Sequence, residues 1–352
     1  MKGLEDIFSD IVGKDKQSIE IVKEILKKKM KPEGSLGILE ELVQKIAGIY
    51  SYPLPKIQKK CHIVAVADNG IIEEKVSSCP LEYTRLVSEA MLHNIATIGI
   101  FTKQLGIDLE VVDIGMKEDI QKEYPNFYRK KIRRGSRNFV QEAAMTEEEC
   151  EKAILEGFSF IQERREEYDI FSNGEMGIGN TTTSSAVLYA LTQKNIHDVV
   201  GHGGGLSEEG LFKKKQIIQD ACQKYQLFGK SPFDILRSVG GYDIAFLVGC
   251  YLGTAFYRKA MIVDGFISAV AALLACRMKA EVQDYCIFSH QSEEPGMKII
   301  LEELQETTFL QMKMRLGEGT GAVMVYPILD CALAMFQSLK TPKEVYDMFY
   351  EQ

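Results

Sequence analysis

From Cys61 onward the chain repeats one pattern: a short apolar run ends in Gly, Asp, Asn or His and is followed by an amphipathic stretch of helical period. The runs are HIVAVAD (62–68), LEVVDIG (109–115), DIFSNG (169–174), DVVGHG (198–203), AMIVDG (260–265) and DYCIFSH (284–290). Each is too apolar to keep one face in water, and strands buried on both faces that alternate with crossover helices form a parallel sheet. The expected fold class is therefore α/β. Ligands of such sheets bind outside the carboxyl ends of the strands, so the polar residues that close each run are where chemistry is sought.

The two ends of the chain follow a different period. IEIVKEILKKKM and GILEELVQKIAGIY carry apolar residues at helical spacing on either side of a Pro-Glu-Gly break, and Pro327 to Phe336 with TPKEVYDMFYE returns to that spacing. The prediction is a small helical domain built from 1–55 plus 327–352, docked on a large α/β domain of 56–326. There is no low-complexity linker and no repeat of solenoid length.

Composition narrows the function classes. Fifty acidic residues against 42 basic ones give a net charge of −8, which argues against nucleic acid as a partner. The local basic run Arg129, Lys130, Lys131, Arg133, Arg134 reads as a solvated face. The eight cysteines, Cys61, Cys79, Cys150, Cys222, Cys250, Cys276, Cys286 and Cys331, show no C-x-x-C pair and no zinc-ligand spacing. They read as mostly buried thiols of a reducing compartment, with no metal site. No apolar core follows the basic start, and no later run is expected to cross a bilayer, so no membrane partner and a cytoplasmic location are expected.

Three glycine-rich segments carry the chemistry. In SNGEMGIGNTTTSSAVLYALT a strand ends at Asn173, and Asn180 opens an apolar helix after Gly174, Gly177 and Gly179. Close backbone approach and unpaired N–H groups at a helix start suit a phosphate; the alternative is a tight turn capped by threonine. In VVGHGGGLSEEGLFKKK, backbone amides and one of Lys213, Lys214 or Lys215 could share a phosphate, or the lysines could lie on a solvated helix face. Neither segment matches G-x-x-x-x-G-K-[ST] or G-x-G-x-x-G, which demotes nucleoside triphosphates and dinucleotides. In KMRLGEGTGAVMVYPILD, Glu318 lies between Gly317 and Gly319 before an apolar helix. A desolvated carboxylate there would have a raised pKa and suit proton abstraction; a solvated loop Glu or a helix cap is the bland alternative. Asp68, Asp113, Glu175, Asp243 and Asp264 also end strands or start helices, where each could merely satisfy a turn. Ser289 and His290 suggest a nucleophilic pair, but adjacent residues are not expected to face each other productively.

Together these segments resemble the nicotinate mononucleotide:5,6-dimethylbenzimidazole phosphoribosyltransferase family over nearly the whole chain, in order. The matching runs are KPEGSLG (31–37), RGSRNF (134–139), AMTEEE (144–149), GEMGIGNTT (174–182), GLSEEGL (205–211), GGYDIA (240–245), VDGF (263–266), SHQSEEPG (289–296) and RLGEGTGA (315–322). GEMGIGNTT and RLGEGTGA are the specific ones. The resemblance implies a Rossmann-like parallel sheet with a small helical domain from both termini, usually a homodimer, and no cofactor. It implies that a benzimidazole ring nitrogen attacks C1′ of nicotinate mononucleotide, giving an α-linked ribotide and free nicotinate in cobamide assembly. Carried over by motif, Glu318 is the general base and Glu175 positions the acceptor. Gly177, Asn180, Gly203, Gly204 and Lys214 hold the phosphate, Ser292 contacts ribose or nicotinate, and Asp243 and Asp264 tune the charge.

The departures bear on substrate choice. Where the family commonly has G-D-H-G the chain has Ala67, Asp68, Asn69 and Gly70, and Leu86 stands where a Gln is usual, with Cys79 just before Pro80. A pocket that loses an amide becomes more apolar and its selectivity shifts, so Cys79 and Leu86 are assigned to the acceptor pocket, and purine or phenolic acceptors stay open. His202 replaces a basic residue and Gly204 a threonine beside the phosphate. The remaining rivals are a nucleotide-binding partner that has lost activity and, more weakly, a dinucleotide-dependent oxidoreductase.

Overall fold

The computed structural model describes residues 3–350; positions 1, 2, 351 and 352 of the expected helical domain lie outside the described residues. Six strands form one sheet: β1 (Lys60–Ala67), β2 (Asp108–Gly115), β3 (Phe127–Arg129), β4 (Ile170–Met176), β5 (Met261–Val263) and β6 (Cys286–Phe288). All pairs are parallel, in the order β3-β2-β1-β4-β5-β6. This is the doubly wound order whose direction reverses between β1 and β4, opening a crevice at their carboxyl ends. Residues 61–67 of β1 are all buried, as a central strand covered on both faces requires.

Two sequence expectations are corrected here. DVVGHG is not a strand: Asn195 accepts a hydrogen bond from the His197 N–H and caps the short helix Ile196–Val199, and the glycines that follow form a loop. Val199 and Val200 are buried as helix and loop residues, because a short apolar run looks the same in either setting. The strand not foreseen is β3, three residues at the sheet edge, too short and too polar to show a period.

The helix Tyr242–Phe256 is buried almost along its whole length and runs against Glu147–Arg164, which Thr146 and Glu149 start with a reciprocal capping box. Glycines let these two backbones touch. A Cβ at Gly249 would lie 1.9 Å from the Ile154 carbonyl oxygen, and one at Gly157 would lie 2.0 Å from that of Phe246.

At the chain ends, Lys16–Lys28 and Ile38–Tyr50 are helices, as are Tyr326–Ser338 and Pro342–Tyr350. Tyr326–Ser338 packs on Ile38–Tyr50. The amino-terminal helices are also tied to the α/β body: the Tyr50 hydroxyl donates to Asp169 O (2.6 Å) and accepts from Ala260 N (2.9 Å). Contrary to the expectation from sequence, Thr320–Ser338 is long and apolar enough to cross a bilayer, with mean hydropathy 1.3. Its apolar side is used internally, since Val323, Tyr326, Leu329 and Ala332 are buried, and Asp330 pairs with Lys60 at 2.6 Å.

Candidate active site

The carboxyl ends of β4, β5 and β6 border a cleft of about 450 Å³. β4 ends in Glu175 and Met176, and the turn through Gly177 runs so close to β1 that a Cβ there would lie 2.0 Å from the Ala67 carbonyl oxygen. Beyond it, Gly179 (φ 96°) starts the helix Asn180–Thr192, and the Asn180 side-chain amide donates a short hydrogen bond to Glu175 Oε2.

The opposite wall is the Gly317-Glu318-Gly319 loop. All three residues are left-handed, with φ of 90°, 61° and 81°, a conformation that needs glycine on either side and external support for the glutamate between them. The Glu318 N–H donates to Glu175 O (3.2 Å), its carbonyl accepts from His62 Nε2 (2.9 Å), and its carboxylate accepts from Ile98 N–H (3.1 Å). Ile98 lies in the first turn of Thr97–Leu105, where backbone N–H groups lack intrahelical partners.

Four acids surround this point, and burial pushes each upward. Glu318 is raised by desolvation and by Asp264, against the Ile98 N–H. Glu175 is raised well above the glutamate range by burial, then by Asp243 and Asp264, with the Asn180 amide opposing. Asp264 caps the short helix Thr320–Val323, accepting from Gly321 N (2.9 Å) and Ala322 N (3.0 Å), and lies 3.8 Å from His290.

Asp243 is pushed up to about 6 by burial, against hydrogen bonds from Ile244 N and the amides of Asn180 and Asn69. Its folded pKa exceeds the unfolded 3.8, so ionising it costs native stability, fully above the folded value and not at all below the unfolded one. Asp243→Asn is therefore expected to gain stability over wild type at about pH 8, by at most about 3 kcal/mol. That advantage should shrink toward about pH 5 in calorimetric melts; a pH-independent difference would contradict the assignment.

The cleft brings together Glu318, Glu175, Gly177, Asn180, Gly203, Gly204, Ser292, Asp264 and Cys79. Two expected residues stand behind its wall. Asp243 is fully buried under Asn69 and Asn180. Lys214 is buried with its ammonium on Thr181 Oγ1 and Gly201 O, both at 3.2 Å, and burial lowers its pKa to about 8. Leu86 is not brought to the cleft at all. It is 44% exposed on the helix Tyr83–Leu92, while Tyr83 and Val87 from the same helix line the cleft.

Other expectations fare unevenly. Three of the first amides of Asn180–Thr192 are used, Asn180 N donating to Gly177 O and Thr182 and Thr183 N to Gly179 O, while the N–H groups of Gly177, Gly179 and Thr181 donate to no described residue. The N–H groups of Gly203, Gly204 and Gly205 likewise donate to no described residue. Ser289 and His290 do face each other, Oγ to Nδ1 at 3.0 Å, but Ser289 is fully buried away from the cleft. His202 turns toward Leu206 O and Glu208. The basic run is a paired surface, with Arg129 on Glu123, Lys130 on Glu156, and Lys131 and Arg134 on Asp119.

Sequence reasoning missed Thr181, Tyr83, Val87, Phe266 and Arg315 on the cleft wall, and His62 and Ile98 behind Glu318. Arg315 and Thr181 stand inside the two specific motifs, which was the available signal; His62 and Ile98 had none. A more open groove of about 620 Å³ adjoins the cleft and shares Ser292 and Glu294, but Lys194, His197 and Lys298 line it and none of the buried acids does.

A family model described as Phosphoribosyltransferase matches residues 11–345, so fold and site define an enzyme that transfers phosphoribosyl groups. Nicotinate-nucleotide–dimethylbenzimidazole phosphoribosyltransferase of Clostridium acetobutylicum is 42% identical over 339 residues, covering 96% of each chain. The protein of that name from Acetivibrio thermocellus is 42% identical over 93% of each. The crystal structure of CobT from Thermus thermophilus superposes with a TM-score of 0.89 at 32% identity, covering 94% of this chain and 98% of that one. The chain belongs to the nicotinate-nucleotide–dimethylbenzimidazole phosphoribosyltransferase family.

Proposed function

We propose that this cleft transfers the phosphoribosyl group of nicotinate mononucleotide to a dimethylbenzimidazole-type base, giving α-ribazole phosphate and nicotinate. The observation that carries this is Glu318: a desolvated carboxylate, steadied by one backbone N–H, at the edge of a partly apolar cleft. The pyridine-like nitrogen of the acceptor attacks C1′, the C1′–N bond to nicotinate breaks with its electron pair going to the nicotinate ring, and Glu318 takes the proton from the acceptor's other nitrogen. Its raised pKa makes it the stronger base for that transfer.

Glu175, bridged to Asn180, orients the acceptor, and Asp264 beside the cleft favours, when ionised, the positive charge that develops at C1′. The free N–H groups of Gly203 and Gly204, with the Lys214 ammonium behind Gly203, suit the phosphate, and Ser292 the ribose or nicotinate. Because Leu86 faces outward, acceptor choice falls to Cys79, Tyr83, Val87 and Phe266.

Gly203 has φ 56°, and a Cβ there would meet Thr181 Oγ1 at 2.6 Å. Gly203→Ala is expected to raise KM for nicotinate mononucleotide about ten-fold, on the order of one lost charge-assisted hydrogen bond. An unchanged KM would place the phosphate elsewhere. The direct assay is nicotinate release with a panel of benzimidazoles, purines and phenols, products resolved by chromatography. Release with dimethylbenzimidazole supports the reading, release only with another base reassigns the acceptor, and no acceptor-dependent release removes it.

The working unit in this reading is a homodimer in the cytoplasm. Exposed Leu86, Ile95, Ile100 and Met324 lie on or beside helices that pack against one another, and buried free thiols suit a reducing compartment. The terminal helices of 1–55 and 327–352 are read as one small domain, supported by the packing of Tyr326–Ser338 on Ile38–Tyr50.

A further inference from the structure

Glu318 keeps a left-handed backbone with a side chain attached, so the loop must be held from outside. Three hydrogen bonds hold its other parts: Glu318 N to Glu175 O at the end of β4, and Thr320 N and Thr320 Oγ1 to Gly317 O within the loop. The peptide that follows Glu318 is held differently. Among the described residues its carbonyl accepts only from His62 Nε2, at 2.9 Å.

His62 is the one polar residue of the fully buried stretch 61–67 of β1. Its Nδ1 lies 2.7 Å from Ser172 Oγ, on the residue directly opposite in β4. A carbonyl oxygen can only accept, so Nε2 carries the hydrogen, and in the neutral ring Nδ1 then accepts from the Ser172 hydroxyl. The ring also sets the loop's approach, since a Cβ on Gly319 would lie 2.0 Å from His62 Cε1. His62 does not line the cleft. It reaches the reaction only through Glu318.

We propose that His62 is a positioning residue for Glu318: its Nε2–H, in the tautomer that Ser172 selects, clamps the Glu318–Gly319 peptide so that the carboxylate stays on the Ile98 N–H and faces the acceptor. A buried histidine that is merely satisfied would support the fold without setting the rate. The inference rests on Glu318 being the general base, and the two can fail separately.

The experiment compares His62→Gln, whose amide N–H can reach the Glu318 carbonyl, with His62→Asn, whose shorter amide can reach only Ser172. Nicotinate release with dimethylbenzimidazole gives kcat and KM, calorimetry gives nicotinate mononucleotide affinity, and Glu318→Gln is run alongside. His62→Asn is expected to lower kcat on the order of 100-fold, the scale of a 1 Å misplacement. KM and affinity for nicotinate mononucleotide should stay within about two-fold, and His62→Gln should recover most of the rate.

Ser172→Ala, a small change that keeps the strand, tests the tautomer. It should lower kcat about ten-fold when His62 is present and cause no further loss in the His62→Gln background, because coupled sites do not add. Wild-type kcat in His62→Asn overturns the proposal. So does an equal Ser172→Ala loss in both backgrounds, or a loss of kcat only in step with substrate affinity. If His62→Asn does not fold, the Ser172→Ala pair decides alone. If Glu318→Gln keeps wild-type kcat, the general-base reading itself falls.

Discussion

Glu318→Gln is expected to lower kcat about 10²- to 10⁴-fold, the range that a positioned proton acceptor contributes, with KM for nicotinate mononucleotide within about three-fold. Glutamine can keep its carbonyl oxygen on the Ile98 N–H and preserves the left-handed loop, so substrate binding should survive. The pH profile adds a second readout. The carboxylate must be ionised to accept a proton, and burial and Asp264 raise its pKa. Wild-type activity should therefore fall, as pH drops, at a pH above the ordinary glutamate value of 4.5. The variant's residual rate should lack that limb. Unchanged kcat, or an acid limb that persists in the variant, would assign the proton transfer to another group, with Glu175 next in line.

The largest effect on stability is expected at Gly249. Alanine would put a methyl 1.9 Å from the Ile154 carbonyl oxygen, 2.8 Å from the Ile154 carbonyl carbon and 2.8 Å from the Phe158 nitrogen. All are backbone atoms, so no side chain can rotate away and the helices Glu147–Arg164 and Tyr242–Phe256 must separate. Overpacking of this kind costs about 3 kcal/mol, and more where backbone must move. A fall in Tm of about 4 °C or more should follow. A melt within about 1 °C of wild type would show that these helices slide without penalty, contrary to the close burial of Tyr242–Phe256 against its neighbour.

What could be read from the sequence followed the range of the forces involved. β1, β2, β4, β5 and β6 announced themselves because each is a local apolar run with a polar stop. The site's backbone was visible in Gly177, Gly203 and the Gly317–Gly319 loop, since glycines in such density mark close approach. DVVGHG misled because local hydrophobicity does not separate a buried loop from a strand. Leu86 misled because motif alignment fixes the helix but not which face of it meets the cleft; Tyr83 and Val87 took that place. Which amides of the turn at Asn180 stay free for an anion depends on turn hydrogen bonds that composition cannot show: Asn180, Thr182 and Thr183 N are used, Gly177, Gly179 and Thr181 N are not. His62 and Ile98 were out of reach because they meet Glu318 only across 256 and 220 residues.

Those separations have a consequence for synthesis. A ribosome makes the chain from the amino end, and by Phe288 every strand of the sheet has been made. Glu175, Asn180 and Lys214 exist by then, and in this reading so do the parts that orient the acceptor and hold the phosphate. The clamp on His62 and the Ile98 N–H both wait for Glu318. In that reading a chain interrupted in between would carry the whole sheet but not Glu318, so turnover reports that translation has passed that residue.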